Sequence, residues 1–517
     1  MALDRLKKTY ASGSRRLAAI LNSAITPDMR KLYGRSAQQG SKTRNPVIVI
    51  PGILGSRLVN PATEQTLWGG AGRRGFADQN DPEQARLVAH PMGLGTPLHQ
   101  LKDELQADGS VSHLRASRFG LSLQIQAYEN IMRTLGVGGY NLNPAKRAHR
   151  KFLDYGHDVL SKCFEFDYDW RRSLPENAIL FGEFVEAVLR FAEYDSGCPQ
   201  GMKVDVVAHS MGGLLLRYYL RYGKNLLPDD GSEPEITWEG AARIEHVTVV
   251  GSPSAGSLNA VQKLVHGLKA NALLPAYHAA ILGTMPAVYQ LLPRTRHAAI
   301  HDAQTHQPLE DLFNPDLWIQ RRWGLADPDA DPMLASLLPD VADAPDRRRI
   351  ALDHLRKCLD EARRFHRAID APADAPRGVI LQLYAGDGVA TPSVAEVGRA
   401  HDPFTVVDTA PGDGTVLRSS ALMDERIGNE WYPRLLTPIR WDNVTFIATD
   451  HMALTRHPTF VNNVLYLLLE KPRPGCDFRA PAPPAPETSH AMPAPAPPTN
   501  GQAPASPAEH IPSTDHG

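Results

Sequence analysis

A serine, a histidine and two aspartates in this sequence stand in contexts suited to covalent catalysis at a carbonyl. Ser210 lies in AHSMGG (208–213), between a β-branched run and the apolar stretch LLLRYYL. A serine hydroxyl becomes a useful nucleophile only when a base takes its proton. A histidine, with a pKa near 6.5, can take that proton and return it to a departing alcohol. His451, in Asp450-His451-Met452, is the candidate base. A carboxylate must hold the imidazole in one tautomer and stabilise its cation. Asp387, in Gly386-Asp387-Gly388, and Asp413, in Gly412-Asp413-Gly414, both qualify, and the residues alone leave either open. Proximity to a strand end favours Asp387, whereas the spacing to His451 favours Asp413.

Such groups need rigid elements to aim them. Val204, Val206 and Val207 suit a buried parallel strand, and Leu214 to Leu220 reads as a helix packed behind it. The sharp turn between them lifts Ser210 clear of the backbone, and Gly212 and Gly213 lack the Cβ atoms that would collide with strand and helix. The helix turns its first N–H groups and positive dipole end toward the place where an oxyanion forms. His209 is a second histidine beside the serine, but its position in the turn points it elsewhere, toward packing or hydrogen bonding. Asn45 to Leu58 supplies a strand over Val47 to Ile50 and then Pro51-Gly52. There the glycine lets the backbone turn so that the N–H of Ile53 faces the nucleophile, and the N–H of Met211 is the second oxyanion donor.

PGILGSRL (51–58), FDYDWR (166–171), AHSMGG and GDGTV (412–416), in this order, resemble the lecithin:cholesterol acyltransferase family, which includes phospholipid:diacylglycerol acyltransferases and lysosomal-type phospholipases. The resemblance spans about Pro46 to Leu467. It implies an α/β-hydrolase fold, a mostly parallel central sheet with inserted lid and helical cap, acting on lipid acyl esters through an acyl-serine. It favours Asp413 as the acid, and the order Ser210, Asp413, His451 is that of α/β hydrolases. It also implies a supporting Asp169–Arg171 pair, and GSPSAGS (251–257) is similar to the family's Gly-Thr-Pro loop with Ser252 for threonine. The expected function is an O-acyltransferase moving a fatty acyl group from a lipid ester to an alcohol. With water as acceptor the same triad makes a lipase or phospholipase, and a lipid-binding protein without catalysis is the third alternative.

The domain reading follows. Residues 1–44 form a basic arm with a net charge of +8, against −2 for the whole chain. Leu17, Ile20, Leu21 and Ala24 on one helix face would allow contact with an anionic membrane surface; a solvated arm is the plainer reading. Residues 45–258 are the first part of the core, with a lid insertion over about 59–114 expected to be a mobile apolar flap. Trp68 lies in it, to touch lipid or pack in the core. Family members often close this region with a disulfide, yet this sequence has no cysteine before Cys163. Residues 259–377 read as a helical cap, 378–470 as the second part of the core, and 471–517 as a disordered Pro/Ala-rich tail.

Helices are expected over Ile125 to Leu135, Glu183 to Glu193 and Val461 to Leu469. Strands are expected over Cys163 to Tyr168, Ile244 to Val250, Gly378 to Tyr384 and Val444 to Ala448. The scattered cysteines indicate reduced thiols, and no metal or cofactor is expected: His297, His301 and His306 have helical spacing in part but no acidic base beside them. No run reaches the ~20 apolar residues of a membrane span, and the start lacks a secretory pattern. A cytoplasmic protein follows, with possible peripheral membrane contact and no nucleic-acid partner.

Overall fold

The β-branched runs become one parallel sheet because both of its faces are covered. The computed structural model describes residues 44–70, 75–111, 114–118, 121–125, 141–142, 161–194, 201–269, 275–309, 311–424 and 437–469. Seven strands lie in the order Asn443–Ile447, Ile380–Gly386, Ile244–Val250, Val204–His209, Val47–Ile50, Ser161–Glu165 and the short edge Asn141–Leu142. All neighbours pair in parallel. Val47–Ile50 and Val204–His209 are buried at every position, as a run without polar alternation requires.

From Val47–Ile50 the chain goes outward to Ser161–Glu165, then crosses to Val204–His209 on the other side and continues outward. Such a reversal opens a crevice at the carboxyl ends of adjacent strands. Gly52 and Ser210 follow the two strands that flank it. This is an α/β-hydrolase fold.

Most elements lie within a few residues of the expected ones. The helix read from Glu183 starts at Leu174, because Pro175 falls in its first turn, where a missing N–H costs nothing. A second sheet is absent from the sequence reading: Val389–Val397 and Thr405–Gly412 form an antiparallel hairpin, joined by Ile300–Asp302. Thr405–Gly412 is mostly exposed and Val389–Val397 buries only Thr391, Ala395 and Val397, so hydrophobic alternation did not mark the hairpin. The arm 1–44, apart from Arg44, lies outside the described residues. So do the tail from 470 onward, the helix expected beyond Ile125, and Cys198 and Cys476; Cys163 and Cys358 form no disulfide.

The segment read as a lid is anchored rather than a free flap. It folds as a three-stranded antiparallel sheet, Thr66–Trp68, Ser56–Val59 and Gln106–Ser110, with a helix Pro82–Val88 capped by Asp81. Trp68 is fully buried, donates through Nε1 to the Leu54 carbonyl at 2.9 Å, and packs edge-on against Phe76 and Trp170. It is core rather than lipid-facing. The long helix Ala344–Asp370 holds this segment from the other side: Lys357 Nζ donates to the carbonyls of Gly93 and Thr96 at 2.7 and 2.8 Å.

The same helix is tied to the element behind Ser210. Its final carbonyls, which have no acceptor duty within the helix, receive Arg217 Nη2 on Ile369, Arg221 Nη1 on Ala368 and Ala371, and the Tyr222 hydroxyl on Ala368. Burial pushes the Arg217 guanidinium down to about 9, with Arg221 adding to the effect.

Three buried imidazoles make this packing sensitive to acid. His354 and His366 donate to the carbonyls of Thr284 and Gln290, both at 2.8 Å, and His90 lies one ring away from His354. Burial is the first cause that lowers all three: His354 to about 4, His366 to about 3, and His90 well below the ordinary value. Below about pH 6.5 the unfolded chain binds protons that the folded one refuses. Stability is therefore full above pH 6.5 and falls as the pH drops toward 4, each such group contributing a slope of about 1.4 kcal/mol per pH unit. Denaturant titrations at pH 7.5, 6.0 and 5.0 should show this loss, and His354→Asn should flatten the dependence relative to the parent. An equal slope in parent and variant would contradict it.

Candidate active site

The nucleophile turn is held in a conformation the chain would not adopt unaided. Ser210 has φ 54° and ψ −127°, a region rarely occupied by residues with a Cβ. Three hydrogen bonds fix it: its N–H donates to the Val250 carbonyl at 2.8 Å, and its carbonyl accepts from Gly213 N–H at 3.0 Å and Ser252 Oγ at 2.6 Å. A Cβ on Gly212 would lie 2.6 Å from the Pro51 carbonyl oxygen, and one on Gly213 would lie 2.0 Å from Ser252 Oγ. The glycines thus admit the strands on either side of Val204–His209, a sharper reason than clearance within the turn.

Ser252 is the residue whose part the sequence understated. It was noted only as a loop variant, yet its fully buried hydroxyl clamps the strained peptide. Ser252→Ala should lower stability by about 1 kcal/mol. It should also slow labelling of Ser210 by a fluorophosphonate about tenfold, since a relaxed turn misaims Oγ. An unchanged labelling rate would show that the turn holds without the clamp.

The other expected groups converge on Ser210. His451 Nε2 stands 3.1 Å from Ser210 Oγ, and His451 Nδ1 stands 2.8 Å from Asp413 Oδ2. The second Asp413 oxygen accepts the backbone N–H groups of Thr415 and Val416 at 2.9 and 2.7 Å, while the His451 N–H donates to the Asp413 carbonyl at 3.0 Å. GDGTV therefore forms a turn that fixes its own carboxylate. Asp387 turns away. Its carboxylate accepts from Arg418 Nη1 at 3.4 Å.

Gly52 brings the first-strand turn against the serine, since a Cβ there would sit 2.7 Å from Ser210 Cβ. Close approach, rather than a positive φ, is what requires glycine; the left-handed residue of this turn is Leu54, at φ 65°. Ile53 follows Gly52 directly, and among the described residues its amide donates to no protein acceptor. Met211 opens the helix Met211–Tyr222, whose first amides lack intrahelical partners.

FDYDWR braces this turn. The Tyr168 hydroxyl donates to the Pro51 carbonyl at 2.9 Å, Trp170 Nε1 to the Ser56 carbonyl at 3.1 Å, and Tyr168 N–H to Ser56 Oγ at 3.1 Å. Arg171 is fully buried and pairs with Asp169, as expected, but also with Asp103 at 2.6 Å and with the carbonyls of Leu87, Val88 and Ala89. This arginine fastens the segment 82–103 without a disulfide. Burial opposes its charge, but Asp169 and Asp103 outweigh that and hold it above the ordinary arginine value.

His209 packs its ring 4.8 Å from that of His451, with Nε2 3.4 Å from the His451 carbonyl. Burial, reinforced by His451, lowers it to about 3, so it stays neutral and leaves the base role to His451. The three cap histidines do not gather: His297 ends a short turn, His301 lies in a strand and bonds the Ala298 carbonyl, and His306 bonds Glu396. Their spacing is not helical in the fold.

Residues 153–318 match the family model for lecithin:cholesterol acyltransferase. No curated protein matches the chain. Among solved structures, the Tle4–Tli4 complex aligns with a TM-score of 0.49 at 16% identity, covering 82% of this chain and 97% of that one. Lipase 1 from Pelosinus fermentans aligns with a TM-score of 0.22 at 17% identity, covering 52% and 72%. Among the described residues no helix is long and apolar enough to cross a membrane. The chain thus carries the lecithin:cholesterol acyltransferase family pattern over residues 153–318 on an α/β-hydrolase fold, and that family's chemistry is acyl transfer or hydrolysis at lipid esters.

Proposed function

We propose that this protein is a serine-dependent O-acyltransferase that moves a fatty acyl group from a lipid ester to an alcohol. Ser210 Oγ attacks the ester carbonyl as His451 Nε2 takes its proton. The tetrahedral oxyanion faces the amides of Ile53 and Met211. On collapse, the carbonyl–alkoxy bond breaks and His451 returns the proton to the leaving alcohol, leaving acyl-Ser210. A second alcohol then gives its proton to His451, attacks the acyl carbonyl and departs as the new ester, restoring the Ser210 hydroxyl. Asp413 holds the His451 tautomer and stabilises its cation throughout. Every proton moves between groups of the chain and the substrates, so no cofactor is needed.

The observation that carries the reading is the continuous Ser210–His451–Asp413 hydrogen-bond chain in a nearly closed setting: Ser210 is 8% exposed and the His451 side chain 12%. In this reading the anchored insertion 59–114, within the first part of the core, and the cap 259–377, between its two parts, enclose the acyl chain and exclude water from the acyl-enzyme. The reading keeps the protein in the cytoplasm.

Hydrolysis by the same triad is the second reading. The test is the partition of labelled acyl between free acid and new ester, with chain length and acceptor varied at fixed pH. We expect new ester to dominate with an apolar alcohol present, and long chains to be preferred, each buried CH₂ contributing about 0.8 kcal/mol. Free fatty acid as the sole product with every acceptor would make the protein a phospholipase or lipase and leave the triad in place.

A further inference from the structure

The helix behind Ser210 carries a buried charge that is only half satisfied. Arg217 is 5% exposed. Its Nη2 donates to the Ile369 carbonyl at 2.7 Å, whereas its Nη1 is fully buried and has no hydrogen-bond partner among the described residues. Asp370 is the carboxylate whose field reaches this guanidinium, and it is already committed to Arg294 and Arg296 at 2.8 and 2.9 Å. A buried cation without its own counter-charge is costly.

Arg217 borders a cavity of about 20 Å³, between its helix, Val247 and Val249 of one central strand and Leu381 of the next. The rest of the wall is basic and aromatic: Arg221 and Arg440, with the indoles of Trp238 and Trp441. No Asp or Glu among the described residues lines it. Arg440 has Asp374 at 2.8 Å, and Arg221 has the carbonyls of Ala368 and Ala371 and the Trp238 ring, 5.7 Å from its guanidinium carbon. The helix end that receives Arg217 and Arg221 offers roughly half a negative charge to two guanidinium groups. Positive charge is left over, and burial together with Arg221 accordingly lowers Arg217 to about 9.

The size of the space selects the guest. About 20 Å³ suits one water or one monatomic ion. A water would serve the free N–H and leave the charge as it was; an anion answers both. A halide is also loosely hydrated, so it gives up less on entering a wall that is part apolar than a carboxylate or a phosphate would. The lining runs from buried Arg217 to largely exposed Arg440, which gives an ion a path from solvent.

We propose that this cavity is a structural anion site that takes one chloride ion, held by Arg217 with Arg221 and Arg440 around it. The ion would join parts distant in the chain: the helix Met211–Tyr222, the residues that follow Ala344–Asp370, and residues 439–441 ahead of the strand Asn443–Ile447. The site lies apart from Ser210, so it stands whether the acyl group goes to an alcohol or to water.

The experiment follows thermal unfolding of the full-length protein at constant ionic strength while gluconate, too bulky for the cavity, is replaced by chloride. The expected result is a saturable rise in Tm of at least about 2 °C in the parent and none in Arg217→Met. Equal Tm in the two salts, or a rise that survives in Arg217→Met, overturns the site. If Arg217→Met fails to fold, crystals of the parent grown in bromide decide. An anomalous peak beside the Arg217 guanidinium upholds the assignment, and a cavity that holds only water overturns it.

Discussion

Ser210→Ala is expected to lower turnover of lipid esters by at least about 10⁴-fold, and His451→Ala by a similar factor, because neither group acts without the other. The 3.1 Å and 2.8 Å contacts make Ser210, His451 and Asp413 one relay, so the double variant Ser210→Ala/His451→Ala should be no worse than either single one. Asp413→Asn is expected to cost about 10³- to 10⁴-fold, since an amide at that position accepts or donates with the wrong group and no longer stabilises the imidazolium. Asp387→Asn should change kcat only a few-fold, because that carboxylate meets Arg418 and no member of the relay. Steady-state kinetics on a soluble ester, with folding checked for each variant, decide the matter. Activity that survives Asp413→Asn but not Asp387→Asn would mean that the acid has been assigned to the wrong turn.

Arg171→Met should be the most damaging substitution away from the relay. The side chain is wholly buried, and its loss strands two carboxylates, Asp169 and Asp103, together with three carbonyls from Leu87 to Ala89. Breaking a buried ion pair on one side costs about 3–5 kcal/mol, because the remaining charge keeps its desolvation penalty. Denaturant unfolding should register a loss of that size, and proteolysis should first cut within residues 82–103, which the arginine fastens. A loss under about 1 kcal/mol would show that the segment is held chiefly by its apolar contacts.

The sequence made the sheet legible where burial leaves no polar alternation. Val47–Ile50 and Ile244–Val250 have the bounds their β-branched runs suggest, and the elbow announces itself through two glycines that no other residue could replace against Pro51 and Ser252. The candidate relay was legible for the same reason: turns such as Gly412-Asp413-Gly414 carry their geometry in their own residue types. What stayed hidden depends on pairs distant in the chain. Asp103 meets Arg171 across 68 positions, and Arg217 meets Ile369 across 152. No local pattern marks such partners, so an insertion with loop-like residues read as a mobile flap. The hairpin of Val389–Val397 and Thr405–Gly412 was missed because it fully buries only four positions, too few for period-2 patterning to show.

The strand order also sets when, during synthesis, this protein first becomes reactive. Ser210 and its turn leave the ribosome with Val47–Ile50 and Ser161–Glu165 already made, so the central strands can pair early. The base lies 241 residues further on, after the edge strand Asn443–Ile447 that is the last to join. At a synthesis rate of about 5–20 residues per second, the nascent chain carries an inert serine for roughly 12 to 50 seconds. The hydroxyl acquires its hydrogen-bond partner His451 only when almost the whole described fold is available to enclose it, so an unfinished chain carries the serine without the imidazole beside it.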